Sequence, residues 1–245
     1  LVNENPKAPD SASALNNAAV AYEKLRKFES AGKAYQRIVN DYPKSEFVED
    51  ALYNLAKSYN KVFEYEQAIR TYSRLFSEFP SSKNRADYLY LVANNLEKTG
   101  QYRKAARRYE EYARVFPNRE DTAETYFKSA TLYKRLKDDR NLDRTYKEFF
   151  RRYANDPEQN PRLLESLLGQ ARLLKKRNRV RQAKAKYEEV INEFNARGLE
   201  PGSQDAQYPA EAAFELVEYD FVAYEKLQIK GRLEKQGEII QKLKK

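Results

Sequence analysis

The sequence predicts an all-α array of helical hairpins, an α-solenoid, on three observations. A pattern of small and aromatic residues returns every 37 positions. The chain holds only 7 Gly and 9 Pro in 245 residues, so few tight turns are available. Ala, Leu, Glu, Lys, Arg and Gln dominate, and these favour helix over sheet. The hydrophobic fraction of 41% and charged fraction of 34% suit an elongated array, which keeps more surface per residue than a sphere. With 20 Tyr and 12 Phe the chain has aromatic side chains enough to build a core, which argues against disorder.

Four segments align without gaps from Ala12, Glu49, Ala86 and Ala123, and a fifth starts at Leu164 after four extra residues in the loop 156–161. The first helix of each carries a large apolar residue, an alanine four on and a third apolar residue three further. The sets are Leu15/Ala19/Tyr22, Leu52/Ala56/Tyr59, Leu89/Ala93/Leu96, Tyr126/Ala130/Tyr133 and Leu167/Ala171/Leu174. That spacing puts all three on one helical face. The second helix repeats a small residue, a tyrosine four later and an apolar residue three later: Ala31/Tyr35/Ile38, Ala68/Tyr72/Leu75, Ala105/Tyr109/Tyr112 and Ala183/Tyr187/Val190. The fourth repeat departs, with Leu142/Tyr146/Phe149. Alanine lets two helices approach to ~8 Å, and tyrosine fills the wedge beside the contact. Pro43, Pro80 and Pro117 close the first three repeats, where a helix cannot continue.

Small, aromatic and proline landmarks in this order resemble the tetratricopeptide repeat, over residues 12–195. The usual repeat is ~34 residues, so each junction here is three residues longer. The resemblance implies a right-handed superhelix of five hairpins that binds other proteins. The junction sequences DYPKSEFVEDALYNLA and EFPSSKNRADYLYLVA are similar to repeats of bacterial cell-envelope proteins, among them the outer-membrane assembly lipoprotein, the coordinator of the Tol–Pal system and gliding-motility proteins. This likeness points to the periplasm or the cell envelope of a bacterium; a cytoplasmic location stays open.

Residues 1–11 form a lead-in. After Asn195 the register breaks, and Gly198, Pro201, Gly202 and Ser203 mark a loop over 196–207. C-terminal helices over 208–245 read either as a cap or as a divergent sixth repeat. The first, from about Pro209 to Ile229, is expected to bury Phe214, Val217, Phe221, Tyr224 and Leu227. The second follows Gly231, with Leu233, Ile240 and Leu243 as its stripe. A start at Leu1 and a charged end lead us to expect a monomeric fragment of a longer chain, or a mature form without its export signal.

In the family the first helix of each hairpin lines the concave face. The resemblance therefore implies a groove for a protein or peptide segment, with Tyr53, Tyr90 and Phe127 as a central aromatic row. Asn54, Lys57, Lys61, Asn94, Thr131 and Arg172 would flank it. Amides can donate to and accept from a peptide backbone, while Lys and Arg fix carboxylates. The same rings could instead pack against the neighbouring hairpin. Some relatives hold a partner's C-terminal carboxylate with a lysine at the fifth and an asparagine at the ninth position of the first repeat. Those places hold Asn16 and Val20 here, which argues against that function.

The net charge of +9 is concentrated in residues 164–198, which carry 9 basic and 4 acidic groups. The densest run, Lys175, Lys176, Arg177, Arg179 and Arg181, falls at the turn inside the fifth hairpin. It reads either as a solvated turn favoured by the helix dipole or as a docking patch for an acidic protein, anionic lipid or nucleic acid. Nucleic-acid binders interleave basic and aromatic groups along one track, whereas here the basic run and the aromatic row stand apart in sequence.

Cys, His, Met and Trp do not occur, which excludes thiolate and imidazole zinc sites and the Cys–His and Ser–His–Asp sets. The pairs Glu110/Glu111, Asp138/Asp139 and Glu188/Glu189 are sequence neighbours that point ~100° apart on a helix, so they form no acid–base dyad. No glycine-rich phosphate loop or calcium-loop pattern occurs, and no run approaches the ~18 apolar residues of a membrane span. The expectation is a binding protein with no cofactor, metal or catalytic activity.

Overall fold

The computed structural model describes residues 10–225. Its helices are α1 (Ser11–Lys24), α2 (Phe28–Asp41), α3 (Val48–Lys61), α4 (Tyr65–Glu78), α5 (Arg85–Lys98), α6 (Tyr102–Val115), α7 (Thr122–Arg135), α8 (Asp139–Tyr153), α9 (Asn160–Lys176), α10 (Val180–Ala196) and α11 (Gln207–Glu225). Short 3-10 turns precede α9 and α11, and no strand occurs among the described residues. The fold is all-α, a series of helical hairpins as the spacing predicts. Two compact units divide the chain inside α8, one ending at Thr145 and the other beginning at Tyr146. The second stripe expected after Gly231, and Leu227, lie outside the described residues.

Within the N-terminal unit each hairpin closes on its alanines. Ala19 and Ala31, Ala56 and Ala68, and Ala93 and Ala105 are wholly buried. Tyr35, Tyr72 and Tyr109 are buried one turn on from those contacts. Tyr22, expected on the buried face of α1, is instead 38% exposed. Being on the outermost described helix of its unit, it has one neighbouring pair fewer to pack against.

The first helix of every hairpin ends the same way. Arg26, Phe63, Gly100, Lys137 and Asn178 all adopt positive φ, between 53° and 74°. The next amide donates back five residues, as Glu64 N–H does to the Tyr59 carbonyl at 2.9 Å and Gln101 N–H to that of Leu96 at 2.8 Å. This is the left-handed helix stop that usually selects glycine, yet only one of the five positions has it.

Tyrosine–carboxylate bonds fix the long junctions. Glu49 Oε1 accepts from Ser82 Oγ at 2.5 Å and from the Tyr88 hydroxyl at 2.6 Å. Asp121 accepts from the Tyr112 hydroxyl at 2.8 Å. Burial pushes the Tyr88 hydroxyl up to about 12. Burial also pushes the Asp121 carboxyl up, but hydrogen bonds from Arg119 and Tyr112 outweigh it and leave the group below the usual carboxylate range.

In the C-terminal unit α9, α10 and α11 enclose Leu164, Leu167, Leu168, Ala171, Ala183, Tyr187, Val190, Phe194 and Ala212. The face of α11 differs from the expectation. Phe214, Val217, Phe221 and Tyr224 are each more than half exposed, while Ala212 is buried and Tyr208, Leu216 and Tyr219 are half-buried against the core. The opposite face packs because it carries the small Ala212, which permits close approach, and the carboxylates that find partners on α9.

A Cβ on Gly169 would lie 2.3 Å from Tyr146 Cε2, so Gly169→Ala overpacks α8 against α9 and should cost about 2 kcal/mol in urea unfolding. The penalty should shrink in a Tyr146→Leu background, and equal stability of Gly169→Ala and the parent would refute the packing assigned here. Glu148 accepts from Arg151 and Arg152 at 2.6–2.9 Å, and these bonds, Arg151 first, pull its carboxyl down to about 2. A depressed carboxylate stabilises the fold above its unfolded pKa, and the contribution fades as pH falls through the folded value. Glu148→Gln should therefore lower the melting temperature near neutral pH, with the deficit vanishing between about pH 5 and pH 2.

Candidate protein-binding surface

The outward positions of α3, α5 and α7, all in the N-terminal unit, carry the residues expected to line a groove. Tyr53 and Tyr90 are half-buried. Tyr53 lies 6.1 Å from the Tyr72 ring of its own hairpin and 6.0 Å from Tyr88 of the next. Tyr90 packs at 5.8 Å from Tyr109 and 6.4 Å from Tyr112. Phe127, at the same repeat position, is buried and offers little open surface. A phenyl ring has no hydroxyl to keep at a polar edge, so it sinks where the tyrosines stay at the rim. The aromatic row is thus partly internal packing, with two rims open to a partner.

Around those rims the polar groups are accessible. Lys57 is exposed, its Nζ 5.6 Å from the Tyr53 ring centre and 3.4 Å from Asn54 Oδ1, which accepts. Asn54 and Asn94 are half-buried, and Asn94 hydrogen-bonds the Tyr109 hydroxyl. Lys61 and Thr131 are exposed. The sequence reading missed Lys128, whose Nζ donates to the Tyr90 hydroxyl at 2.6 Å and sits 4.8 Å from that ring's centre. Its signal was available: a cation directly after the aromatic position in the following repeat.

In the C-terminal unit the candidate cations have internal partners. Arg172 grips Glu211 through two donors on one edge of its guanidinium, Nε donating to Oε1 at 2.7 Å and Nη2 to Oε2. Lys175 Nζ donates to Glu215 at 2.5 Å and Glu218 at 2.9 Å, and Lys184 to Asp220 at 2.5 Å. The Glu215 and Glu218 bonds raise the Lys175 ammonium above its ordinary value. Arg172 and Lys175 therefore seat α11 on α9. Lys176, Arg177, Arg179 and Arg181 are exposed around the left-handed turn at Asn178.

This clamp gives a direct expectation. Arg172→Ala with Lys175→Ala should destabilise the seating of α11 by about 1 kcal/mol, since partly exposed pairs contribute little each. Amide exchange in α11 should quicken while α9 and α10 keep their protection. Unchanged exchange in α11 would mean that Ala212 and its apolar neighbours hold the helix without the ion pairs.

The tetratricopeptide-repeat family model matches residues 14–45, 50–82, 87–119 and 165–194, together just over half of the chain. The stretch from Ala123 is unmatched; there Leu142 and Ala154 replace the small residue and the proline. No curated protein matches the chain. Among solved structures, a tetratricopeptide repeat protein from Parabacteroides merdae is 20% identical, with a TM-score of 0.45, covering 92% of this chain and 84% of its own. YrrB, described as a TPR protein with an unusual peptide-binding site, is 14% identical, with a TM-score of 0.46, covering 86% and 95%. A putative kinesin light chain with TPR-like repeats from Podosopora anserina is 13% identical, with a TM-score of 0.46, covering 78% and 97%. With four repeats matched at the spacing read from its residues, this chain belongs to the tetratricopeptide-repeat family.

Proposed function

We propose that this chain is a protein–protein interaction scaffold that holds a segment of a partner against the outward face of α3, α5 and α7. The observation that carries this reading is the recurrence, one repeat apart, of the half-buried Tyr53 and Tyr90 with Lys57 and Asn94 one helical turn on. A tyrosine rim offers apolar contact at small entropic cost, while the amide and ammonium groups can satisfy a peptide's carbonyls and carboxylates. The scaffold binds and does not react. The junction sequences, similar to those of bacterial cell-envelope proteins, support a place in an envelope assembly. A basic docking patch for nucleic acid or an anionic surface at Lys175–Arg181 rests on charge alone, and Lys175 spends its charge on Glu215 and Glu218.

The test begins with affinity capture and mass spectrometry to identify the partner, followed by calorimetry on variants that leave the core untouched. Lys57→Glu and Asn94→Ala should each weaken binding about tenfold, worth about 1.4 kcal/mol, and Lys57→Glu should do so with an unchanged melting temperature. Arg179→Ala should bind like the parent. The reading fails if Arg179→Ala abolishes binding while the other two bind normally.

A further inference from the structure

Two residues at the edge between the first and second hairpins are not what the fold by itself would select. Phe63 holds a positive φ of 63° and is 76% exposed, with an edge contact to Tyr65 at 6.2 Å. The same turn in the next repeat has Gly100, the residue this geometry favours. A bulky apolar side chain at a strained, solvated position points toward function. Gly32 is the second. It lies buried inside α2, where glycine weakens a helix. A Cβ built there would meet Ser58 Cβ at 3.5 Å and Leu55 Cδ1 at 3.7 Å, ordinary contacts. Neither packing nor backbone conformation demands the glycine.

What Gly32 leaves is space. Phe28, Gly32 and Gln36 of α2 and Ser58, Tyr59 and Val62 at the end of α3 bound an open groove of about 620 Å³. The corresponding groove one repeat on has Ile69 in place of Gly32 and Leu96 in place of Tyr59, and measures about 460 Å³. Phe63 follows directly on the groove wall at Val62. The groove's own charges cancel, Glu29 and Glu64 against Lys33 and Arg37.

Selectivity comes from the turn cations. Lys61 Nζ stands 5.9 Å from the Phe28 ring centre, and Lys98 Nζ 5.7 Å from that of Tyr65. The next repeat continues the series, with the Arg135 guanidinium 4.1 Å from the Tyr102 ring centre. A ring beneath a cation positions it without neutralising it. Lys61, Lys98 and Arg135 are exposed, and among the described residues none pairs with a carboxylate.

We propose that this edge docks an acidic protein segment. One apolar side chain of that segment enters the Gly32 groove beside Phe63, and its carboxylates meet Lys61 and Lys98. A peptide can place neutral residues against Glu29 and Glu64, whereas a nucleic-acid strand would bring a phosphate at every step. The rings of Phe28 and Tyr65 are already covered by cations, so they offer no stacking track for bases.

The experiment is fluorescence anisotropy with the full chain. The probes are a panel of short Asp/Glu-rich peptides, each with one Phe or Leu at a varied position, matched lysine-rich peptides and oligothymidine. Acidic peptides should bind, and only when they carry the apolar residue. Gly32→Ile, which installs the next repeat's side chain, and Phe63→Gly should each weaken binding about tenfold. Phe63→Gly should not lower the melting temperature, so its loss of binding is not loss of fold. Lys61→Glu with Lys98→Glu should abolish binding. The proposal is overturned if both Gly32→Ile and Phe63→Gly bind normally, if no acidic peptide binds, or if oligothymidine or the basic peptides bind instead. Because Lys57→Glu and Asn94→Ala report on the outward face of α3 and α5, failure here leaves that reading standing, and the reverse.

Discussion

How closely two helices can pack is set by the smallest side chains between them, and in this chain that limit recurs at a fixed interval. Ala19 against Ala31, Ala56 against Ala68, Ala93 against Ala105 and Ala171 against Ala183 are all fully buried. Once the backbones are this near, the tyrosine one turn along must fill the widening wedge, and Tyr35, Tyr72, Tyr109 and Tyr187 are buried in response. Everything outward of those contacts inherits its position from them. A residue five or nine places into one repeat has an equivalent neighbour in the next, so a surface row needs no further device to exist. Binding in such a scaffold is a by-product of how the core repeats.

The same constraint explains which features were legible in the sequence. Alanine, tyrosine and proline at fixed spacing are backbone requirements, and each shows as a residue type at a countable position. The hairpin turns were harder to read. All five reach the left-handed region, yet Arg26, Phe63, Lys137 and Asn178 stand where glycine would have announced it. A backbone hydrogen bond closes each turn, from Lys27 N–H to Tyr22, Glu64 to Tyr59, Asp138 to Tyr133 and Arg179 to Leu174, and holds the conformation without the residue that prefers it.

Legibility fell where two faces of one element compete. In α11 the bulky Phe214, Val217, Phe221 and Tyr224 form one apolar stripe, and Tyr208, Ala212, Leu216 and Tyr219 form a second. The helix packs through Ala212, with Glu211, Glu215 and Glu218 meeting Arg172 and Lys175. Close approach and charge pairing decided the face, and neither is visible within a single helix. The candidate surface shows the same limit on a smaller scale. Tyr53, Tyr90 and Phe127 share a repeat position, but a hydroxyl separates a rim residue from a buried one. Lys128, by contrast, stands directly after the aromatic position of its repeat, and the fold brings its Nζ within 2.6 Å of the Tyr90 hydroxyl.

A partner lying along the outward face of α3, α5 and α7 would leave a hydrogen-exchange footprint there when the chain is mixed with its captured partner. Exchange should slow on partner addition in peptides spanning residues 53–61 and 90–98, with residues 175–181 unchanged. Protection confined to residues 175–181, with the two tyrosine-bearing helices exchanging as in the free chain, would contradict that placement.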